Sequence, residues 1–266
     1  MKLFSRISGS GHPLIILHGL YGSSDNWVTI AKLLSGKFEV HLIDQRNHGK
    51  SPHSDEHNYS LMKNDLLIYL NDHDITQAIL AGHSMGGKTV MYFAMDYPER
   101  LSSLIVIDIL PVSYKEDVVK RFENQQIIGS MLTMDLNSIS SREEAEQLLA
   151  ADIPQKKISG FLLKNLQRNR DGSFSWKINI RALHKHLEEI LEGPDLARFE
   201  HGRGITGFPV LFIRGAESDY IPPDSFALIK KIFPFAEIVT IPGAGHWLHA
   251  EQPNLLAGTI IYFTGQ

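Results

Sequence analysis

The sequence predicts an α/β fold in which a mostly parallel sheet carries helices on both faces and a helical segment is inserted. Up to residue 111, and again from residue 209, short apolar runs alternate with longer segments whose apolar residues recur at helical spacing. Residues 112–205 between them show helical spacing without a clear strand. Because parallel strands need a crossover connection, usually a helix, this alternation indicates a parallel sheet covered on both faces.

The predicted strands are short apolar runs that end in a polar residue or a glycine. They cover 14–17, 38–44, 78–81 and 104–107 before the insertion, and 209–214 and 237–241 after it. In most of these runs the apolar residues do not alternate with polar ones, which is typical of strands buried on both faces. The helices predicted between them cover 26–34, 60–70, 85–96 and 223–232, with a last helix starting near Pro253.

The inserted segment has its own helix signals. Ser141 and Glu144 have the spacing of a capping box at the start of a helix, and residues 179–191 form a further amphipathic run. We therefore predict two parts of the chain, a core of residues 1–111 and 206–266 and a helical cap of residues 112–205.

Composition and charge exclude several kinds of protein. The 266 residues include no cysteine, which excludes a thiol nucleophile, disulfides and thiolate metal sites. The net charge of −4 lacks the basic excess of a protein that binds nucleic acid or an anionic membrane. No apolar run reaches the roughly 20 residues of a membrane span. We expect a cytoplasmic protein without nucleic-acid or membrane partners, either a monomer or a homodimer.

The strongest chemical signal is the G-x-S-x-G pattern of residues 82–86, which follows a predicted strand and opens a predicted helix. A serine on such a turn has a strained backbone and an exposed hydroxyl, and the glycines avoid side-chain clashes. The start of the helix also directs N–H groups toward an anion that forms nearby. Ser84 is therefore the candidate nucleophile.

A serine hydroxyl needs a histidine to take its proton, and that histidine needs an acid to orient it. Of the 13 histidines, His246 follows the last predicted strand. Functional groups in such sheets lie beyond the carboxyl ends of the strands, so we predict His246 as the general base. His249 and Glu251 lie close by in sequence, but no further ligand cluster supports a metal site there, and none is predicted.

Two aspartates are candidates for the acid, and they follow different strands. Asp108 ends the strand after the nucleophile helix, whereas Asp219 follows the strand of residues 209–214. Both fit the chain order Ser, Asp, His. A carboxylate at the end of an apolar strand is costly to bury without hydrogen bonds, which favours a structural or catalytic role for Asp108. The alternative role of Asp219 is that of a turn residue near a helix start.

The oxyanion of the intermediate needs two backbone donors. The N–H of Met85 follows the nucleophile, and the N–H of Leu20 lies on the loop after the first central strand. Both donors are backbone groups, so side-chain changes at these positions act mainly through shape.

Taken together and in this order, the motifs resemble the α/β-hydrolase superfamily over essentially the whole chain. The matching segments are 18–19, 44–51, 82–87 and 243–247. More narrowly, the pattern of residues 86–88, 108–111 and 246–251 resembles the YbfF-type carboxylesterases. That resemblance implies a small cytosolic enzyme with a helical cap that cleaves short acyl esters or thioesters. It also implies Asp108 as the acid, although this chain has an aspartate at position 219 as well.

We therefore predict a serine carboxylesterase that acts on a small acyl ester or thioester through an acyl-enzyme, without a cofactor. The cap is expected to roof the pocket and set the acyl length, with four pocket residues, Tyr114, Arg121, Trp176 and Tyr220. A C–C bond hydrolase or a lyase on the same scaffold would share the serine motif. The alternative of another class is a non-catalytic small-molecule receptor, which failure to hydrolyse any activated ester would favour.

Overall fold

The computed structural model describes residues 1–195 and 204–265. Its strands are β1 Ser5–Ser8, β2 His12–Leu17, β3 Phe38–Ile43, β4 Ala78–His83, β5 Leu101–Ile107, β6 Leu166–Arg168, β7 Phe174–Trp176, β8 Val210–Gly215 and β9 Glu237–Ile241. Seven of them form one sheet in the order β1–β3–β2–β4–β5–β8–β9. In that sheet β1 runs antiparallel to β3 and the other pairs are parallel, so the predicted α/β architecture is confirmed.

The helices connect successive parallel strands, belong to the insertion or follow the last strand. They are α1 Val28–Leu34, α2 Tyr59–Asp72, α3 Met85–Asp96, α4 Val118–Thr133, α5 Arg142–Asp152, α6 Lys156–Leu162, α7 Ile180–Lys185, α8 Leu187–Leu191, α9 Phe226–Ile232, α10 Leu248–Glu251 and α11 Pro253–Phe263. Within the described ranges, none of these helices has both the length and the apolar character that crossing a bilayer requires.

Helices bury both faces of the sheet. Along β2, Leu14 and Ile16 belong to an apolar cluster that α1 and α11 cover. Ile15 and Leu17 belong to a second cluster, which α2 and α3 cover. Successive residues of a strand point to opposite faces, so a strand buried on both sides has to be apolar throughout. This explains the continuous apolar runs in the sequence.

The inserted segment contributes α4 to α8 and a short hairpin of β6 and β7. Ile128, Leu149 and Leu183 of this segment lie in the same buried cluster as Leu66 of α2 and Val90 of α3. Residues 196–203 of the predicted cap lie outside the described residues. The predicted boundaries of core and cap therefore stay a prediction.

Buried hydrogen bonds also join the inserted segment to the rest of the chain. The Tyr59 hydroxyl on α2 donates to Ile190 O on α8 at 2.7 Å. Asn165 Nδ2 donates to Tyr21 O at 2.7 Å, beside the loop that follows β2. The insertion is thus held against the carboxyl ends of the strands by polar contacts as well as by apolar packing.

Two elements differ from the sequence-based expectations. Strand β1 was not predicted, because its four residues alternate in character and are half exposed at the edge of the sheet. The single helix predicted over 179–191 is two short helices, with His186 between them in a non-helical conformation of φ −109° and ψ 25°. The expected helix start at Ser141 is present, since the Ser141 hydroxyl accepts a hydrogen bond from Glu144 N at 3.2 Å.

Candidate active site

Ser84 lies in the turn between β4 and α3, where its backbone has φ 53° and ψ −118°. Such a conformation is costly for a residue with a side chain, and strain of this kind clusters at functional sites. Close packing enforces the turn. A Cβ on Gly82 would lie 2.2 Å from Gly86 O, and a Cβ on Gly86 would lie 2.4 Å from Leu17 O. The two glycines are therefore needed for β4, α3 and β2 to approach each other.

His246 and Asp108 come from distant parts of the chain and form a direct pair. His246 Nδ1 donates a hydrogen bond to Asp108 Oδ2 at 2.8 Å. The buried Asp108 carboxylate also accepts hydrogen bonds from Gly215 N at 3.0 Å and from the Ser218 hydroxyl. These three donors compensate for the burial of a negative charge. With Nδ1 held by the carboxylate, Nε2 of the imidazole is left to accept a proton.

Asp219, the alternative acid, faces the inserted segment. Its two carboxylate oxygens accept hydrogen bonds from Lys120 Nζ at 2.6 and 2.7 Å, and its side chain is 75% exposed. Of the two aspartates that the sequence left open, the geometry joins Asp108 to His246 and joins Asp219 to Lys120.

Tyr220 covers one side of the candidate base. Its ring stacks on the His246 ring with 3.9 Å between the centroids and 19° between the planes. Lys120 Nζ lies 4.1 Å from the centre of the same tyrosine ring. Helix α4 of the insertion therefore contacts the histidine indirectly, through Lys120 and Tyr220.

The two predicted oxyanion donors, Leu20 and Met85, border the space next to Ser84. Met85 is the first residue of α3, so its N–H has no partner within the helix. His18 fixes the loop that carries Leu20. The Nδ1 atom of His18 donates to Gly19 O at 2.8 Å, and the Nε2 atom of His18 accepts from Gln45 N at 3.0 Å.

His83 precedes the candidate nucleophile and has a supporting position. Burial, followed by the charges of His246 and His249, lowers the pKa of His83 well below its ordinary value, so the ring is neutral. Its Nε2 donates to the backbone carbonyl of His246 at 2.7 Å. This hydrogen bond fixes the backbone of the candidate base.

A largely apolar cavity of about 220 Å³ opens at Ser84 and His246. Trp27, Phe161 and Trp247 are among the side chains that form its walls. In the part of the chain that the structure describes, no hydrogen bond joins the Ser84 hydroxyl to His246, although both side chains line this cavity. Hydrogen bonds of this kind often tighten only when a substrate is bound.

Two of the four predicted pocket residues lie beside Ser84. Tyr220 lines the large cavity, and Tyr114 lines a smaller one that also reaches Ser84. The Tyr114 hydroxyl donates to Tyr220 O at 3.2 Å, which links the start of the insertion to the loop after β8.

The other two predicted pocket residues line neither of the two cavities that reach Ser84, and their role in the pocket stays a prediction. Arg121 is half exposed and pairs with Glu188 at 2.8 Å. Successive residues of a helix are rotated by about 100° from each other, so Lys120 faces the site and Arg121 does not. Trp176, at the end of β7, lines a separate cavity together with Met131.

Sequence reasoning assigned no role to three residues next to the site. Ser218 and Lys120 carried no motif, and only the folded chain brings them to Asp108 and Asp219. Lys88 carried one usable signal, since it follows Ser84 by four residues, one helical turn, and so lies on the same side of α3.

Comparison with known proteins identifies the family of the chain. The family model of the α/β hydrolase fold matches residues 12–253, so the chain belongs to that family. A solved structure named marine microorganism esterase is 43% identical, with a TM-score of 0.93 and coverage of 98% of this chain and 99% of the other. The predicted class, an ester-hydrolysing enzyme that resembles the YbfF-type carboxylesterases, is confirmed.

Two curated relatives extend the comparison. The sn-1-specific diacylglycerol lipase ABHD11 of Danio rerio is 37% identical over 258 residues, which are 96% of this chain and 79% of the relative. Esterase YbfF of Escherichia coli is 32% identical over 248 residues, which are 93% of this chain and 91% of the relative.

Proposed function

We propose that this chain is a serine carboxylesterase that hydrolyses short acyl esters or thioesters through an acyl-enzyme on Ser84. The observation that carries the proposal is the 2.8 Å hydrogen bond between His246 Nδ1 and Asp108 Oδ2 at a cavity that Ser84 also lines. A nucleophile, a base and an orienting acid are the three groups that such a reaction requires.

In the first half of the reaction, Ser84 Oγ attacks the carbonyl carbon of the ester while His246 Nε2 takes the hydroxyl proton. Negative charge moves to the carbonyl oxygen, which the N–H groups of Leu20 and Met85 stabilise. Asp108 stabilises the imidazolium that forms. His246 then gives its proton to the leaving alcohol or thiol, the bond to the leaving group breaks, and the acyl group remains on Ser84.

In the second half, His246 takes a proton from a water molecule that attacks the acyl carbon. The tetrahedral intermediate uses the same two N–H donors, and His246 returns the proton to Ser84 Oγ as the free acid leaves. His246 and the two N–H donors therefore act in both acylation and deacylation, and one orientation of the imidazole is sufficient for both steps.

Cavity size supports a small substrate. The cavity of about 220 Å³ lies below the roughly 300–1,000 Å³ of typical ligand pockets. One relative is named as an sn-1-specific diacylglycerol lipase. A short ester fits the space enclosed here better than a long-chain glyceride does.

Hydrolysis of p-nitrophenyl esters from acetate to decanoate tests the proposal. We expect the short esters to be cleaved fastest and Ser84→Ala to lower kcat by about 10³-fold or more. Ser35→Ala, at the half-buried end of α1, is the matched control and should keep the wild-type rate. Wild-type rates in Ser84→Ala would overturn the mechanism. The covalent intermediate should appear as an acyl mass increment on the wild type that Ser84→Ala lacks.

A further inference from the structure

A second, smaller cavity of about 50 Å³ also reaches Ser84. It has room for about three or four water-sized groups. Ser84, Leu20 and Met85 line it, so it is continuous with the reacting atoms and with the proposed oxyanion donors. Lys88 and Lys120 line it as well. Two cationic side chains in so small a space next to the nucleophile are not needed for the ester chemistry itself.

Lys88 is the more informative of the two lysines, because it is only 2% exposed. Its Nζ donates to Leu191 O at 3.0 Å and to Glu192 O, which uses two of the three donors of an ammonium group. Nζ also lies 4.7 Å from the centre of the Tyr114 ring. The partners of the Lys88 ammonium group are therefore two backbone carbonyls and an aromatic ring, none of which carries a full negative charge.

Lys88 lacks a full counter-charge. Among the described residues, no carboxylate oxygen lies within ion-pair distance of its Nζ, and the nearby Glu192 carboxylate pairs with Lys115 at 2.8 Å. Burial, only partly opposed by the charge of Glu192, lowers the pKa of Lys88 to about 7. An anion placed in the cavity would restore the preference of this side chain for its charged form.

Lys120 adds a second positive group on the opposite, inserted side. It is buried in α4, and its charge is shared with the two carboxylate oxygens of Asp219. The ammonium group of Lys120 therefore attracts a further anion less strongly than the ammonium group of Lys88 does. Lys88 is therefore the main group at this end of the site that can carry an unpaired positive charge, whereas the large cavity is mostly apolar.

The position of His246 decides which part of the ester enters the small cavity. His246 has to reach the oxygen or sulfur of the leaving group, and it lines the large cavity. The small cavity is lined instead by Met85 and Lys88, on the side of Ser84 where α3 begins. The leaving group therefore belongs to the large cavity and the acyl group to the small one.

We propose that the small cavity is an acyl-group subsite that binds a carboxylate, so that the preferred substrates are esters or thioesters of short dicarboxylic acids with one free carboxylate. This inference rests on the proposed function. Lys88 contacts the free carboxylate and determines specificity, and Lys120 assists it. The limited volume restricts the acyl group to a few non-hydrogen atoms beyond the reacting carbonyl.

A matched pair of thioesters tests the subsite. The succinyl and 4-methylpentanoyl thioesters of N-acetylcysteamine have acyl groups of the same shape, but only the first ends in a carboxylate. The released thiol can be measured with a disulfide reagent, because the protein has no cysteine to react with it. We expect kcat/KM of the wild type to be at least about tenfold higher for the succinyl thioester, as for a hydrogen bond to a charged group.

Lys88→Met removes the charge and keeps the length of the side chain. It should lower kcat/KM for the succinyl thioester by about 10- to 100-fold and change the value for the neutral thioester by less than about threefold. Lys32→Met on α1 changes the net charge equally and should leave both values unaltered. Lys120→Met should lower kcat/KM for the succinyl thioester by a smaller factor, because the charge of Lys120 is shared with Asp219.

The outcomes separate the subsite from the proposed function. Equal rates on the two thioesters in the wild type would overturn the subsite and leave the esterase standing, and this result does not depend on any variant folding. An equal loss on both thioesters in Lys88→Met would assign the lysine a structural role and would also overturn it. If the wild type cleaves neither thioester nor any p-nitrophenyl ester, both proposals are wrong.

Discussion

Tyr220 stacks on His246 with 3.9 Å between the ring centroids. The neighbouring residue Asp219 binds Lys120 of α4, whose ammonium group lies over the same tyrosine ring. An imidazole that has to accept and return a proton twice in each cycle is therefore held on one side by a carboxylate and on another by an aromatic face. The inserted segment stabilises this arrangement from outside the sheet.

Tyr220→Ala should lower kcat for a short ester by about tenfold, since an aromatic pair contributes about 0.5–1.5 kcal/mol to the orientation of its partner. Tyr220→Phe keeps the ring and should stay within about threefold of the wild type. Steady-state kinetics of the two variants measure the difference. A loss in Tyr220→Phe as large as that in Tyr220→Ala would assign the effect to the hydroxyl instead of the stacking.

Asp108→Asn should lower kcat by about 10³- to 10⁴-fold, because a neutral amide cannot stabilise an imidazolium as a carboxylate does, and its NH₂ group favours the wrong tautomer where it faces His246 Nδ1. Asp219→Asn is the matched control, and its exposed contact with Lys120 predicts a change of less than about fivefold. Both variants are compared on the same short ester. If only Asp219→Asn abolishes turnover, the assignment of the acid is wrong.

Ser218→Ala removes a donor from the Asp108 oxygen that also accepts from His246. We expect kcat to fall by about tenfold, as for one hydrogen bond to a charged group. Ser218→Thr restores the hydroxyl and should restore kcat. Steady-state kinetics of the two variants on the same short ester measure the difference. An unchanged kcat in Ser218→Ala would mean that this hydroxyl only fills space.

His249 should make the protein less stable in acid. Burial, together with the charge of His246, lowers the pKa of His249 from 6.5 to about 3, and its ring stacks on Trp27 with 4.6 Å between centroids. Between these two values the unfolded chain binds a proton that the folded chain does not. Stability is therefore lost as the pH falls from 6.5 towards 3, by at most about 1.4 kcal/mol per pH unit.

His249→Phe keeps the stacked ring and removes this proton. Its free energy of unfolding should fall less steeply than that of the wild type between about pH 6.5 and pH 4.5. Urea denaturation at several pH values measures both slopes. Parallel curves for the two proteins would show that His249 titrates alike in the folded and unfolded states.

The sequence was sufficient for the six parallel strands of the sheet, and it made Ser84 and His246 candidates because both follow predicted strands in short local patterns. It could not choose between Asp108 and Asp219, since both follow strands and the choice depends on which one the fold brings to the imidazole. The sequence could not indicate the contacts of Lys120 and Ser218 for the same reason. Their roles arise from contacts across roughly a hundred residues, which no local pattern encodes.

Ile128, Leu149 and Leu183 of the insertion lie in one apolar cluster with α2 and α3. Moving the inserted segment away as a rigid body would expose this apolar surface to water, at a cost of about 25 cal/mol for every square ångström. We therefore expect esters to enter through small movements at the edge of the segment. Replacing the segment by one from another protein would require redesigning the outer faces of α2 and α3 at the same time.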